Sequence, residues 1–545
     1  MSESINSGFT HRTAILADAG VGLSAIDLIV LLTFVVVTVA FALWKSRKLG
    51  DGSDFFLGGR SLTWPVIGLS IVAANISTEQ MVGMAGNAAG GTGLAVSLWQ
   101  LVGSIGIVLI AWTLLPKFLR AGISTIPEFL EYRYDITARS IMALLTVAIY
   151  VVVLLTAVLY SGGVVLRTIF GLELWIGALV MGLLAAGYTA IGGLRAVAFA
   201  DLFLGTALLI GGAIVFFLGI NEIGGWASFA EANAEKLHIT LPADDQNLPW
   251  TGVVGGMWIV ILYYCGLNQF IVQRSLAAKT LSEGQLGVIF AGALWLLVPF
   301  VIVMPGLMAH QLYADQMATS DEAFPTLIRN LMGPGLRGFM FAAIAGAVIS
   351  SLASMLNSAS TIFTMDVYQR LIARGKASDK MLSFVGRVTI IASVVLSCAL
   401  APMLDQPRFG GVFQFIQQFQ GYIWPGVVAA FIFGIWVKRT PKMSGSIALV
   451  LGPIVYLILQ QTQSSGDSIA AGSPDGLHNI HYLLQVLISF AVCSVVLAAL
   501  TLAIPLSEPV QLPIREEIAT RTEKKVYLAG SLVILAVFVF IAVFW

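Results

Sequence analysis

Pro65-Val-Ile-Gly-Leu-Ser-Ile-Val-Ala-Ala-Asn-Ile-Ser-Thr-Glu-Gln80 starts as an apolar helix and stops being one. From Asn75 to Gln80 five of six side chains are polar, and beyond them the apolar, glycine-rich pattern resumes as far as Gly93. Hydrocarbon offers no hydrogen bonds, so polar groups at this depth are tolerated only where they face protein, water or a bound ligand. If the helix unwinds near Ala73 to Ile76, the freed carbonyls can coordinate a hard cation and the amides of the next half-helix can face a solute. The alternative is a kinked packing helix whose Ser and Thr bond back to their own backbone.

The rest of the chain supports a membrane setting. Of its 545 residues 58% are hydrophobic and 11% charged, which excludes an ordinary water-soluble fold. The expected class is an all-α polytopic membrane protein in a lipid bilayer. Formal net charge is zero, so bulk charge suggests no nucleic-acid partner. Cys265, Cys398 and Cys493 lie in apolar segments without paired spacing and read as small core residues. The first apolar run, near Ala25, is long enough to span and is expected to stay as a helix.

Runs of about 20 apolar residues mark fourteen expected spans: 26–44, 64–89, 93–116, 138–166, 172–192, 197–219, 251–275, 284–313, 336–366, 383–403, 412–437, 443–462, 480–505 and 526–545. With the N-terminus outside, all of the 29 Lys and Arg except Arg12, Arg167, Lys236, Arg329, Arg337 and Arg408 fall on the inner side. Both termini are therefore expected to be extracytoplasmic. The loops Asn221–Pro249, Tyr313–Pro334 and Gln463–Asn479 read as solvated outer caps with short helices, and His478 and His481 as surface histidines. No soluble domain interrupts the spans.

Transporters built from inverted repeats pair their broken helices, so a second break is expected. Tyr263-Tyr-Cys-Gly-Leu-Asn-Gln269 supplies one five spans on. The implied division is 1–63, a tail and leading helix; 64–219 and 251–437, the two repeats, joined by an outer loop at 220–250; and 438–545, three further helices. A third segment carries Ala347-Val-Ile-Ser-Ser351, then Ser354, Asn357, Ser358, Ser360 and Thr361. Adjacent serines in membrane helices commonly serve close packing. Sodium, however, wants about five or six oxygens, and neutral ones suffice. The carbonyls of Ala73, Ile76 and Ala347 with the hydroxyls of Ser350 and Ser351 would make such a site.

Ala73-Ala-Asn-Ile-Ser-Thr-Glu-Gln80, Gly192-Gly-Leu-Arg-Ala-Val-Ala-Phe-Ala-Asp201, Tyr263 to Lys279 and Ser350-Ser-Leu-Ala-Ser-Met-Leu-Asn-Ser358 together resemble the sodium:solute symporter family, above all its sodium/galactose and sodium/glucose cotransporters. The resemblance runs from about Asp51 to Lys442 and more weakly to the end. It implies a LeuT-like core of two inverted five-helix repeats, sodium as the co-transported ion, the same five sodium ligands, and a small polar solute, a sugar or polyol, rather than a reaction catalysed. A carboxylate, amino acid or vitamin is the alternative solute.

Asn75, Gln80, Tyr264 and Gln417 match sugar-binding positions of the family. Its glutamate falls on Gln100, its asparagine on Ile261, its lysine on Trp295 and the tryptophan beside its tyrosine on Cys265. Asn268, in the second break, completes the expected solute set of Asn75, Gln80, Gln100, Tyr264, Asn268, Trp295 and Gln417. Asp201 stands where the family lines the sodium exit, and Ala353 replaces a serine of a second sodium site found in some members, which favours one sodium. Glu79 and Asp366 are expected to be paired inside the bundle or to lie at a wet end. Arg274 to Lys279 reads as a cytoplasmic cap.

Overall fold

The computed structural model describes residues 24–46, 56–76, 79–405, 412–466, 480–515 and 521–545. The tail before Ser24 with Arg12, the Asp51 end of the resemblance, Ser77, Thr78, Arg408 and most of the loop Gln463–Asn479 with His478 lie outside the described residues. In chain order the principal helices are α1 (Ala25–Ser46), α2 (Trp64–Asn75), α3 (Glu79–Thr113), α4 (Leu115–Ala121), α5 (Ile126–Arg133), α6 (Ile136–Arg167), α7 (Leu174–Ile223), α8 (Trp250–Gly266) and α9 (Gln269–Leu276). They continue as α10 (Leu281–Gln316), α11 (Ala323–Leu331), α12 (Leu336–Ile372), α13 (Asp379–Leu404), α14 (Val412–Gln420), α15 (Trp424–Trp436), α16 (Met443–Gly466), α17 (Tyr482–Ala503) and α18 (Lys524–Val543).

Among the described residues eleven helices are long and apolar enough to cross a membrane, or twelve if α8 and α9 form one bent span. α7 counts as two, divided at Gly193, whose φ of 55° and ψ of −159° no side-chain-bearing residue adopts cheaply. The expected fourteen is not reproduced by length and apolarity. It splits the 35-residue α3 near Gly91 and Gly93 and counts the interrupted stretches 64–89 and 412–437, where α2 and α15 are apolar but short.

Burial ranks the helices. In α12, 94% of the most apolar 18-residue window lies inside the protein, against 17% in α1 and 22% in α17 and α18. α12 is the axis of the core, with α7 packed along it; α1 and the C-terminal helices are peripheral. The leading helix is nonetheless fastened. Asp27 is buried and accepts from the amides of Gly335 at 2.7 Å and Gly338 at 2.9 Å, and from Arg337 at 2.9 Å. A carboxylate thus caps the start of α12, where the helix dipole favours a negative charge.

The loop at 313–334 is not a solvated cap. Phe324, Leu327 and Ile328 of α11 are buried, and Ser320 and Asp321 sit against Gly86, where an added Cβ would come within 2.9 Å of an Asp321 carboxylate oxygen. Burial pushes the Asp321 carboxyl up to about 6, with the Val412 amide lowering it and Glu322 raising it. His481 caps α17 by accepting from the Leu483 amide at 3.3 Å and contacts the Asn247 carbonyl at 3.1 Å, so it ties two loops together.

Candidate ion and solute site

Both expected breaks are present. α2 ends at Asn75; the Ile76 amide still donates to the Val72 carbonyl at 2.7 Å, but Ile76 has ψ of 81° and leaves the helix. The end of a helix strands carbonyls without partners of their own. α8 and α9 meet at 45° across Leu267 and the extended Asn268. This second break sits at the far end of the expected segment, so Tyr263 and Tyr264 are still helical.

Between the breaks lies a cavity with about 450 Å³ of atom-free space, part of it open to solvent. Asn75, Gln80, Gln100, Tyr264, Trp295 and Gln417 all line it. Asn75 Nδ2 donates to the Tyr264 hydroxyl at 2.6 Å, and Gln80 Nε2 donates to Asn75 Oδ1 at 2.8 Å, which ties the edge of one break to the helix leading into the other. Two buried polar atoms on its lining residues have no protein partner: Gln80 Oε1, an acceptor, and Trp295 Nε1, a donor. Leaving such atoms unsatisfied costs about 1–3 kcal/mol each, which a hydroxylated solute or water offsets. Met84, Trp99, Val260, Ile261 and Phe413 make the remaining wall largely apolar.

Asn268 is placed elsewhere. Its Oδ1 accepts from the Tyr150 hydroxyl, which also takes the Phe270 amide at 3.1 Å, so Asn268 anchors the start of α9 to α6 and does not line the cavity. Glu79 does line it, and no solute role was expected for that residue from the sequence.

The five expected sodium ligands are all buried. Ser351 Oγ donates to the Ala74 carbonyl at 3.2 Å, which brings α12 against the last turn of α2. Ser350 Oγ donates to Asp201, whose other oxygen accepts from Ser70 at 2.5 Å. Arg274 is not a cytoplasmic cap. It is 1% exposed and reaches Asp201 at 3.1 Å, Ser70 at 2.5 Å, Ser354 at 2.5 Å and the Phe270 carbonyl. A charge this deep is tolerable because every side of the guanidinium meets an oxygen. The sequence concealed it because Asp201 lies 73 residues away.

Asp366 is paired, as expected: its Oδ1 accepts from Thr125 at 2.8 Å and from Arg139 at 2.6 Å. Arg139 also holds Glu131 at 2.7 Å, and Arg370 reaches Glu131 at 2.9 Å. Burial pushes Glu131 up, and the bonds and charges of Arg370 and Arg139 outweigh it, holding that carboxyl below its ordinary range. Among the described residues no group of three or more His, Cys, Asp or Glu could hold a metal ion.

Comparison with known proteins agrees with this geometry. The model of the sodium:solute symporter family matches residues 55–452. The sodium/glucose cotransporter of Vibrio parahaemolyticus is 38% identical over 460 residues, covering 79% of this chain and 84% of its own length. Sodium/glucose cotransporter 1 of Oryctolagus cuniculus is 30% identical, covering 88% and 79%. The uncharacterized symporter YidK of Escherichia coli K12 is 35% identical, covering 80% and 79%. A solved structure of a Na+-coupled sialic acid symporter in a substrate-bound outward-open state superposes with a TM-score of 0.75 at 21% identity, over 90% of this chain and 99% of that one. That likeness shows the fold, an all-α polytopic membrane architecture with a LeuT-like core of two inverted five-helix repeats. With most of its length matched by the family model and by relatives at 30–38% identity, the chain belongs to the sodium:solute symporter family.

Proposed function

We propose that the chain takes up a sugar or polyol together with sodium across the cytoplasmic membrane, with both termini extracytoplasmic and repeats at 64–219 and 251–437. The observation that carries this reading is the cavity between the two breaks, where six of seven expected solute residues meet. Amides of Asn75, Gln80, Gln100 and Gln417 can each donate and accept, which suits hydroxyls that do both. The described lining holds one carboxylate, Glu79, and no lysine, arginine or histidine, which suits a neutral solute better than an anion.

Sodium binds, in this reading, through the carbonyls of Ala73, Ile76 and Ala347 and the hydroxyls of Ser350 and Ser351. Ser350 can offer a lone pair to the ion while its O–H donates to Asp201, so the carboxylate orients the ligand. Occupancy then ties α2 to α12, shapes the cavity, and solute binding permits the opposite side to open. The glucose named in two of these relatives supports trying hexoses first. A sodium-dependent thermal-shift screen over hexoses, polyols and organic acids tests the assignment. Stabilisation by a hexose or polyol only with sodium present supports it; stabilisation only by a carboxylate overturns it.

A further inference from the structure

The polar side chains of α9 facing α12 bind neither solute nor ion, yet they are fully committed. Gln273 Nε2 donates to the Phe56 carbonyl at 2.8 Å and to Thr361 Oγ1 at 3.0 Å, and Gln273 Oε1 accepts from Ser358 Oγ at 2.7 Å. Beside it Arg274 occupies Ser354. These partners share one face of α12: Ser350, Ser354, Asn357, Ser358, Thr361 and Thr364 recur at helical spacing and are at most 1% exposed. From Ser350 to Thr364 the file is about 21 Å long at 1.5 Å per residue. Asp366, two residues further on, turns to the other side of the helix, where it meets Thr125 and Arg139.

Close packing explains part of the file. Ser354 bonds back to the Ser350 carbonyl at 2.7 Å and Thr361 to the Asn357 carbonyl at 2.6 Å. It does not explain Asn357, which is 0% exposed with both amide atoms unpartnered, nor the unpartnered Thr364 hydroxyl. Buried polar atoms of that kind call for a water or an ion that is present part of the time.

We propose that this face of α12 is the route by which sodium leaves Ser350 toward the Asp366 end, and that Gln273 is its plug. The proposal rests on the sodium site described above. While α9 stays docked, Gln273 and Arg274 use the hydroxyls that an ion would need. When α9 swings out, water replaces them and the ion passes between neutral oxygens, with Asn357 Oδ1 midway and the Thr364 hydroxyl at the end. Neutral rungs hold sodium weakly, which release requires.

The reporter is Asn357→Cys, which leaves the plug intact, in the full chain with Cys265, Cys398 and Cys493 replaced by Ala. A membrane-impermeant thiol reagent should label it only from the Asp366 side, faster without sodium. Gln273→Met should speed labelling several-fold and admit a solute-independent leak of labelled sodium. Ser358→Ala, which removes a partner of Gln273 from the other helix, should act in the same direction and add little to Gln273→Met. No labelling from that side, or labelling unchanged by both substitutions, overturns the route. Failure of the sodium site itself reads out separately, as sodium-dependent thermal stabilisation that Ser351→Ala leaves unchanged.

Discussion

Ser351 and Arg274 carry the tightest expectations because each has one well-defined partner set. Ser351→Ala removes one proposed sodium oxygen and the bond to Ala74, so the sodium needed for half-maximal uptake should rise roughly tenfold, the equivalent of about 1.4 kcal/mol, with folding retained. Sodium titration of uptake by the variant checks this, and an unchanged midpoint removes Ser351 from the site. Arg274→Met leaves Asp201 buried without its cation, which should cost about 3–5 kcal/mol. Adding Asp201→Asn should recover a good part of that loss, measured by thermal unfolding in detergent. Arg274 also marks where sequence reading stopped. A basic residue five positions before Lys279 resembles a loop charge, and only the folded chain brings Asp201, Ser70 and Ser354 around it. Asn268 eluded the sequence for the same reason, since its partner Tyr150 is 118 residues distant. Asn75, Gln80, Tyr264 and Gln417 were legible because their types match a family pattern, whereas Gln100 and Trp295 depart from it in type and were legible by position alone.

At the scale of elements, the interruption in Pro65–Gln80 was readable directly, because five polar side chains in six residues cannot continue a lipid-facing helix. The second was readable only approximately: Gly266 and Asn268 mark it, but Tyr263 and Tyr264 are good helix interior residues and remain so. The lid formed by 320–331 reads in the sequence as a solvated cap with short helices; only the folded chain shows its apolar side buried, with Ser320 and Asp321 against Gly86, which has no side chain. Its acid is a handle on it. Asp321 titrates near 6 when docked and near 3.8 otherwise, so the docked lid holds the proton more tightly. Docking should be firmest below about pH 4 and weaken as pH rises toward 6, with no further change above it. Amide exchange across Ala323–Leu331, corrected for intrinsic rate, should be slower at pH 5 than at pH 7, and Asp321→Asn should flatten the difference. Equal protection at both pH values in the unaltered chain contradicts this.

For the whole molecule, α12 is the helix against which both α2 and α9 are packed. It is the most buried of the long helices, and it carries Ser350 and Ser351 on the side of α2 and Ser354 to Thr361 on the side of α9. The proposed sodium ligands and the partners of the α9 side chains thus sit on neighbouring turns of one helix, and on the proposed reading that is the physical link between ion occupancy and inner opening. The central claim, that a cation at the first break drives solute through the cavity, is tested most directly in proteoliposomes loaded with potassium and diluted into sodium. Labelled hexose or polyol should accumulate above the external concentration, collapse on adding a sodium ionophore, and fail to accumulate when potassium replaces sodium outside. Accumulation of equal extent without a sodium gradient would contradict the account.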